Sequence, residues 1–246
     1  MIGFGVDIGG SGVKGAIVDL DTGTLASDRH RISTPRPATP LNVIDAVRQV
    51  VTHHAWSGPL GVTVPGVVID GVVMSAANID HGWLGFDAQS SISDLLEIPV
   101  KVINDADAAG LAEVRYGDHG TPEGVVLVLT FGTGIGSALI NDGRLVPNTE
   151  FGHLEFHGTS AEAYAAGKLV KRDNMDIVWW ANRVNELLQH MESILSPRRI
   201  IFGGGISKRF EEFSALIETS ADLVPARLRN NAGIVGAAMI ATAEEA

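Results

Sequence analysis

Three apolar runs, at residues 3–7, 15–19 and 24–32, open the chain and are separated by the glycine-rich stretch 9–12 and by Asp21-Thr22-Gly23. Runs of strand length with glycine and aspartate punctuation predict an antiparallel meander. The segment Thr34-Pro35-Arg36-Pro37-Ala38-Thr39-Pro40 can sustain neither helix nor central strand, yet it ends in a helix entry, an N-cap followed by proline at the first position. Val43, Val47, Val50 and Val51 then keep helical spacing, predicting a helix to about His54 with His53 and His54 in a solvated last turn.

Predicted strands at 60–64 and 100–104 bracket a glycine-rich middle. A helix over 106–116 leaves the second of them, which makes Asn104-Asp105 a candidate cleft position. Residues 125–131 form a continuous apolar strand, 132–136 a tight glycine loop and 137–140 a second strand closed by Asn141-Asp142-Gly143. This repeats the strand, glycine loop, strand order of the N-terminus and points to two related lobes. A helix from about Asp176 to Leu195 carries Ile177, Ala181, Val184, Leu188, Met191 and Leu195 as a core stripe, straddled by Trp179 and Trp180 as packing or subunit contacts. A strand at 199–202 runs into Gly203-Gly204-Gly205. A helix over 210–219 and a small-residue helix over 233–243 complete the pattern, the last expected to pack closely against another element.

A chain of 246 residues suits two small lobes that share a cleft. No apolar run approaches the length a bilayer requires, and no secretory pattern precedes the first strand, so the sequence predicts a cytoplasmic protein with no membrane partner. The absence of cysteine excludes disulfides, thiol nucleophiles and thiolate zinc sites. A net charge of −11 argues against nucleic-acid partners and requires any polyanionic ligand to be met by local cations or aligned backbone N–H groups.

Three glycine loops each follow an apolar strand: Asp7-Ile8-Gly9-Gly10-Ser11-Gly12-Val13-Lys14, Phe131-Gly132-Thr133-Gly134-Ile135-Gly136-Ser137 and Phe202-Gly203-Gly204-Gly205-Ile206-Ser207. Glycine lets the backbone approach a phosphate and aim N–H donors at it; each loop taken alone could equally be a hairpin turn. None has Walker A spacing, and Gly132-x-Gly134-x-Gly136 leads into a strand, against a dinucleotide site. Asp105 stands where a carboxylate could accept a proton or cap the following helix, roles that can coexist. Asp107 reads as a first-turn charge favourable to the helix dipole. Glu150-Phe151-Gly152-His153-Leu154-Glu155 offers polar side chains around a glycine, and a zinc site at His153 is disfavoured without cysteine.

Together these residues resemble the ROK family of repressors, open-reading-frame proteins and kinases, within the actin-like sugar kinases. The matching motifs, in order, are Asp7 to Lys14, Asn104-Asp105-Ala106, Gly132 to Ser137, Glu150-x-Gly152-His153 and Gly203 to Ser207. The resemblance is strongest to members that phosphorylate glucose at its 6-hydroxyl with inorganic polyphosphate, commonly with ATP as well. It rests on the short length, the Thr34 to Pro40 segment, Ala77-Asn78-Ile79 with Trp83, and Phe202 to Lys208. A strictly ATP-dependent hexokinase acting on glucose, mannose or a related hexose is the alternative, and a non-catalytic sugar sensor is disfavoured by the presence of both Asp7 and Asp105.

The resemblance implies an α/β, ribonuclease-H-like (actin-like ATPase) fold of two lobes around a central cleft. The lobes are expected at 1–106, joined by the C-terminal helix 232–246, and at 107–231. It implies Asp105 as catalytic base and Asn78, Asn104, Asp105, Glu150, His153 and Glu162 as sugar contacts. Gly9, Gly10, Ser11, Lys14, Thr133, Gly134, Gly204 and Gly205 would line the donor path, and Asp7 would assist a magnesium ion. The cysteine-rich zinc loop of many members is missing, so no structural zinc is expected, and Glu162 in Ala161-Glu162-Ala163-Tyr164-Ala165 would replace the glutamate that follows it. A homodimer is what the family suggests. With the first loop beginning at Asp7, the additional DNA-binding domain of the family's repressors is not expected.

Overall fold

The computed structural model describes residues 1–76, 79–117, 120 and 123–242. Two compact units are present, Met1–Ala112 with Asn230–Ala246, and Glu113–Arg229.

In the first unit, β1 (Ile2–Gly9) and β2 (Gly12–Asp19) pair along their full length, so the glycine-rich stretch between them is a two-residue turn, Gly10-Ser11. The expected third strand is two short ones, β3 (Thr24–Leu25) and β4 (His30–Ile32), on opposite ends of β2. Ser27 makes the break: its Oγ, rather than a strand carbonyl, accepts the Ile17 N–H at 3.0 Å. Helix α1 (Pro40–His53) buries the predicted valines. Parallel to β1 comes β5 (Leu60–Val64). A separate three-stranded sheet of β6 (Val68–Ile69), β7 (Val72–Val73) and β8 (Phe86–Asp87) follows, then α2 (Ala88–Leu96), whose cap Asp87 accepts from the Ser90 N–H. These elements are unpredicted, being too short to set up a period. Strand β9 (Val100–Asn104) joins β5 in parallel and runs into α3 (Asp105–Tyr116).

The resulting sheet has the order β3-β2-β1-β5-β9, with β4 also on β2. The C-terminal helix, Ala232–Thr242, packs on it through small residues, as its composition predicts. His54 departs from expectation. Its ring is half-buried, edge-on to Phe4 at 5.2 Å, and burial, aided by neighbouring His53, lowers its pKa from 6.5. His53 is exposed and stacks on His30 at 3.8 Å.

The second unit repeats the plan. Strands β10 (Val125–Phe131) and β11 (Ile135–Asn141) form an antiparallel hairpin extended by β12 (Arg144–Val146). A small ribbon, β13 (Glu155–Phe156) with β14 (Thr159–Ser160), precedes α4 (Ala161–Ala165), α5 (Lys168–Arg172) and the long α6 (Ile177–Leu195). Then come β15 (Arg199–Gly203), the single-turn α7 (Phe210–Phe213) and β16 (Asp222–Pro225). The order β12-β11-β10-β15-β16 matches that of the first sheet, a hairpin followed by two parallel strands.

Trp180 is fully buried against Phe131 and Phe213 and donates its indole N–H to the Ala165 carbonyl at 3.0 Å. Trp179 is 54% exposed under the Arg183 guanidinium. The helix expected over 210–219 stops after Phe213 and one 3-10 turn, Ser214–Leu216. Side chains of α6 take the next backbone groups instead, Asn185 accepting from the Glu218 N–H and Glu192 from the Ser220 N–H.

Candidate active site

In the first unit the β1–β2 register sets Asp7 opposite Lys14, and the β1–β5 register sets Asp7 beside Thr63. Cross-strand partners share a face of the sheet, so the three side chains meet. Lys14 Nζ lies 2.9 Å from Asp7 Oδ2, and the Thr63 hydroxyl donates to Asp7 Oδ1 at 2.9 Å. Both Asp7 oxygens are engaged, and 14% of the side chain remains exposed. Among the described residues no cluster of three or more metal-binding side chains forms. A single hard carboxylate beside a hydroxyl still suits magnesium, which is commonly held by one or two carboxylates together with substrate phosphates and water.

The Gly10-Ser11 turn is exposed, and a Cβ built at Gly10 meets nothing within 4 Å. Both carbonyls flanking its tip are covered by side chains from the following segment. The Thr34 hydroxyl donates to the Gly9 carbonyl at 2.5 Å, and Arg31 donates to the Ser11 carbonyl. Neither Thr34 nor Arg31 is a sequence-predicted site residue. Their roles come from β4 folding back onto β2, which no local pattern reveals.

At the end of β9 the capping role expected of Asp105 belongs to Asn104. Asn104 Oδ1 accepts from the Ala106 and Asp107 N–H groups at 2.8 and 3.0 Å, and its amide donates to the Gly66 carbonyl at 3.0 Å. With its side chain so committed and only 6% of the residue exposed, Asn104 organises the strand-to-helix step. Asp105 takes the first helical position and is partly exposed, while Asp107 in the same turn is buried. The Asn78 position lies outside the described residues.

In the second unit the Gly132 loop closes the β10–β11 hairpin, with the Gly132 N–H donating to the Gly134 carbonyl at 3.0 Å. Strand structure resumes at Ile135, earlier than predicted. Ser137 is buried and structural. Its hydroxyl donates to the Thr149 carbonyl at 2.6 Å and accepts the Phe151 N–H at 3.0 Å, which holds Glu150 in place from either side.

The 3-10 turn Phe151–His153 follows, leaving His153 exposed. Glu162 lies in the first turn of α4, capped by Ser160, and its carboxylate rests against Gly134 where a Cβ would stand. Burial raises the Glu150 pKa above its ordinary 4.5; nearby His153 opposes the rise and Glu162 adds to it. The structure therefore gathers Glu150, His153, Glu162 and Gly134, four of the predicted residues, into one electrostatic neighbourhood. Thr133 sits in the same hairpin turn.

Gly204 has φ +85°, and a Cβ there would come 2.5 Å from the Phe131 backbone N. Only glycine tolerates both conditions at no cost. Gly204 and Gly205 are exposed ahead of the 3-10 turn Gly205–Arg209. Arg209 is paired with Glu212 at 2.7 Å, whereas Lys208 is exposed.

The ROK family's sequence profile matches residues 3–168. The chain is 51% identical over 243 residues to a polyphosphate glucokinase of Mycobacterium tuberculosis (strain CDC 1551 / Oshkosh), an alignment spanning 98% of this chain and 92% of that protein. The crystal structure of an inorganic polyphosphate/ATP-glucomannokinase from Arthrobacter sp. strain KM aligns with TM-score 0.91 and 48% identity, over 98% of this chain and 97% of that one. A ROK family glucokinase from Streptomyces griseus, solved in complex with glucose and AMPPNP, aligns with TM-score 0.79 and 25% identity, over 98% and 99%. The α/β architecture is that of these sugar kinases, the two-lobed actin-like ATPase fold.

Proposed function

The chain belongs to the ROK family, and from that footing we propose that it is a polyphosphate glucokinase. It transfers a phosphoryl group from inorganic polyphosphate, and from ATP as well, to the 6-hydroxyl of glucose. The observation that carries this reading is the 51% identity to a polyphosphate glucokinase, which runs through nearly the whole chain. Phosphoryl transfer depends chiefly on positioning and on neutralising the donor's charge, and the chain's own residues divide those tasks.

Asp105, at the first position of α3, takes the proton that the 6-hydroxyl loses as it attacks phosphorus. Asn104 holds the step that carries it and, with Asn78, contributes to sugar binding. In the second unit Glu150, His153 and Glu162 accept from or donate to sugar hydroxyls. Gly9, Gly10 and Ser11 with Lys14, and Thr133, Gly134, Gly204 and Gly205, present backbone N–H groups and one ammonium to the donor phosphates. Asp7 would hold magnesium, which when bound neutralises donor charge. No structural zinc enters the scheme, since the chain has no cysteine. A homodimer in the cytoplasm completes the proposal, with Trp179 offering aromatic surface for a subunit contact. Among the described residues no helix is long and apolar enough to cross a membrane.

Initial rates with four pairings, polyphosphate or ATP with glucose or mannose, test the proposal. Polyphosphate is expected to support faster glucose phosphorylation than ATP at matched terminal phosphate concentration. Activity with ATP alone would leave an ATP-dependent hexokinase of the same family.

The raised Glu150 pKa carries a pH signature. An ionised carboxylate is the stronger acceptor for a hydroxyl, so the KM for glucose should climb on acidification from a pH above 4.5. Glu150→Gln should flatten this dependence while weakening binding at neutral pH; an unchanged profile in the variant would take Glu150 out of the sugar site. Stability runs the other way. The folded state keeps its proton to higher pH than the unfolded chain, so this group's contribution falls as pH rises from 4.5 to the raised value.

A further inference from the structure

Thr63, Asp7, Lys14 and Arg31 occupy one continuous row across four adjacent strands, each registered on the next: Thr63 on Asp7, Asp7 on Lys14 and Lys14 on Arg31. Directly paired residues project from the same face, so the row is a ladder of hydroxyl, carboxylate, ammonium and guanidinium. The ammonium is balanced by Asp7. The guanidinium is not: among the described residues no carboxylate pairs with Arg31, which is exposed. In a chain of net charge −11, an uncompensated cation beside a glycine turn is placed against the prevailing field.

Its position is also built. Gly12 lies two residues before Lys14 on β2, and a Cβ there would fall 2.5 Å from Arg31 Nε and 2.8 Å from Cζ. The missing side chain is the notch in which the guanidinium lies as it reaches the Ser11 carbonyl. One edge of the planar fork fixes its orientation, and its remaining donors are available to an oxyanion. With Thr34 covering the Gly9 carbonyl, the carbonyl oxygens of Gly9 and Ser11 are both met by side-chain donors.

The row has a direction. Going from β4 through β2, β1 and β5 to β9, whose end leads into Asp105, crosses four strand spacings, roughly 19 Å. Arg31 stands at the end remote from the proposed base. ATP stops after three phosphates and continues as a nucleoside, whereas polyphosphate continues as identical anionic units.

We propose that Arg31 is a donor-specificity residue that binds phosphates of a polyphosphate chain beyond those that ATP can supply, and so sets the enzyme's preference for long chains. The inference rests on the polyphosphate reading above. A role confined to pinning the turn makes a different prediction, because the turn would serve every donor alike.

The test compares the full-length protein with its Arg31→Gln and Arg31→Lys variants on long-chain polyphosphate, sodium tripolyphosphate and ATP. Binding of long-chain polyphosphate is measured in parallel by calorimetry without glucose. Loss of one charge-assisted contact should raise the KM for long-chain polyphosphate by about tenfold in Arg31→Gln. Its kcat should hold, and the KM for tripolyphosphate and ATP should stay within about twofold. Arg31→Lys should recover part of the long-chain affinity, since it keeps the charge without the fork. Equal losses on all three donors, or no loss on the long chain, would overturn the proposal while leaving the polyphosphate reading intact. A parent protein that neither uses nor binds polyphosphate would overturn both.

Discussion

Asp105→Asn should lower glucose phosphorylation by a factor on the order of a hundred to ten thousand, the range a positioned general base supplies. The amide keeps the size of the side chain and one acceptor oxygen, so glucose affinity should change little, but it cannot take the 6-hydroxyl proton. The position of the cap makes the experiment cleaner. Asn104 closes the first turn of α3, and both Asp105→Asn and Asp105→Ala leave that cap in place. Asp105→Ala removes a first-turn carboxylate, a charge worth about 0.3–1 kcal/mol toward the helix dipole at a helix N-terminus.

Asn104→Ala is the contrasting variant. It strips the cap and leaves the Gly66 carbonyl without its donor, which should cost about 1–2 kcal/mol of stability. Steady-state kinetics, glucose binding by calorimetry and melting curves on the three variants separate chemistry from architecture. Near-normal turnover in a folded, glucose-binding Asp105→Asn protein would remove Asp105 from the mechanism.

Gly61→Ala should be among the most damaging glycine-to-alanine changes in the first unit. A Cβ at Gly61, the second residue of β5, would run into the Ala237 carbonyl of the C-terminal helix, well inside contact distance. Gly5 on β1 meets the Ile234 carbonyl in the same way, so the helix backbone lies directly on a glycine-lined strip of the sheet. The obstacle is backbone, which cannot rotate aside as a side chain would. Overpacking of this kind costs about 3 kcal/mol or more, the upper end of the usual range.

For a chain of this size that is a fall in melting temperature of roughly 6–12 °C. Gly10→Ala is the internal control, since its Cβ meets nothing and its stability should stay within about 0.5 kcal/mol of the parent. Scanning calorimetry on both variants checks the pair. A Gly61→Ala protein that melts with the parent would mean that the helix does not pack on β5 as described.

Much of this molecule follows from local chemistry. The N-terminal hairpin, α1 with its proline entry, the β9-to-α3 step and the long α6 each carry a period of two or 3.6 residues and a start signal within a few positions, and they form where that information places them. The glycine loops were likewise legible as turns after apolar strands, and the structure brings Glu150, His153 and Glu162 near one another in the second unit. What failed locally failed for tertiary reasons. The helix expected over 210–219 obeyed its propensity only until Asn185 and Glu192 of α6 offered better partners to its backbone.

Ser27 broke a strand by substituting its hydroxyl for a carbonyl, and His54 was drawn inward by Phe4, a residue fifty positions away. The cap passed from Asp105 to Asn104 because a buried amide could serve both the helix N–H groups and the Gly66 carbonyl. Arg31 is the sharpest instance. Nothing in the sequence around it marks an anion site, and only the pairing of β4 with β2 brings its charge into line with Lys14 and Asp7. Periodicity and turn chemistry are properties of neighbours along the chain and can be read from it. Register between strands distant in sequence, and the burial it creates, arise only when the whole sheet has closed, and these decide which side chains share a site.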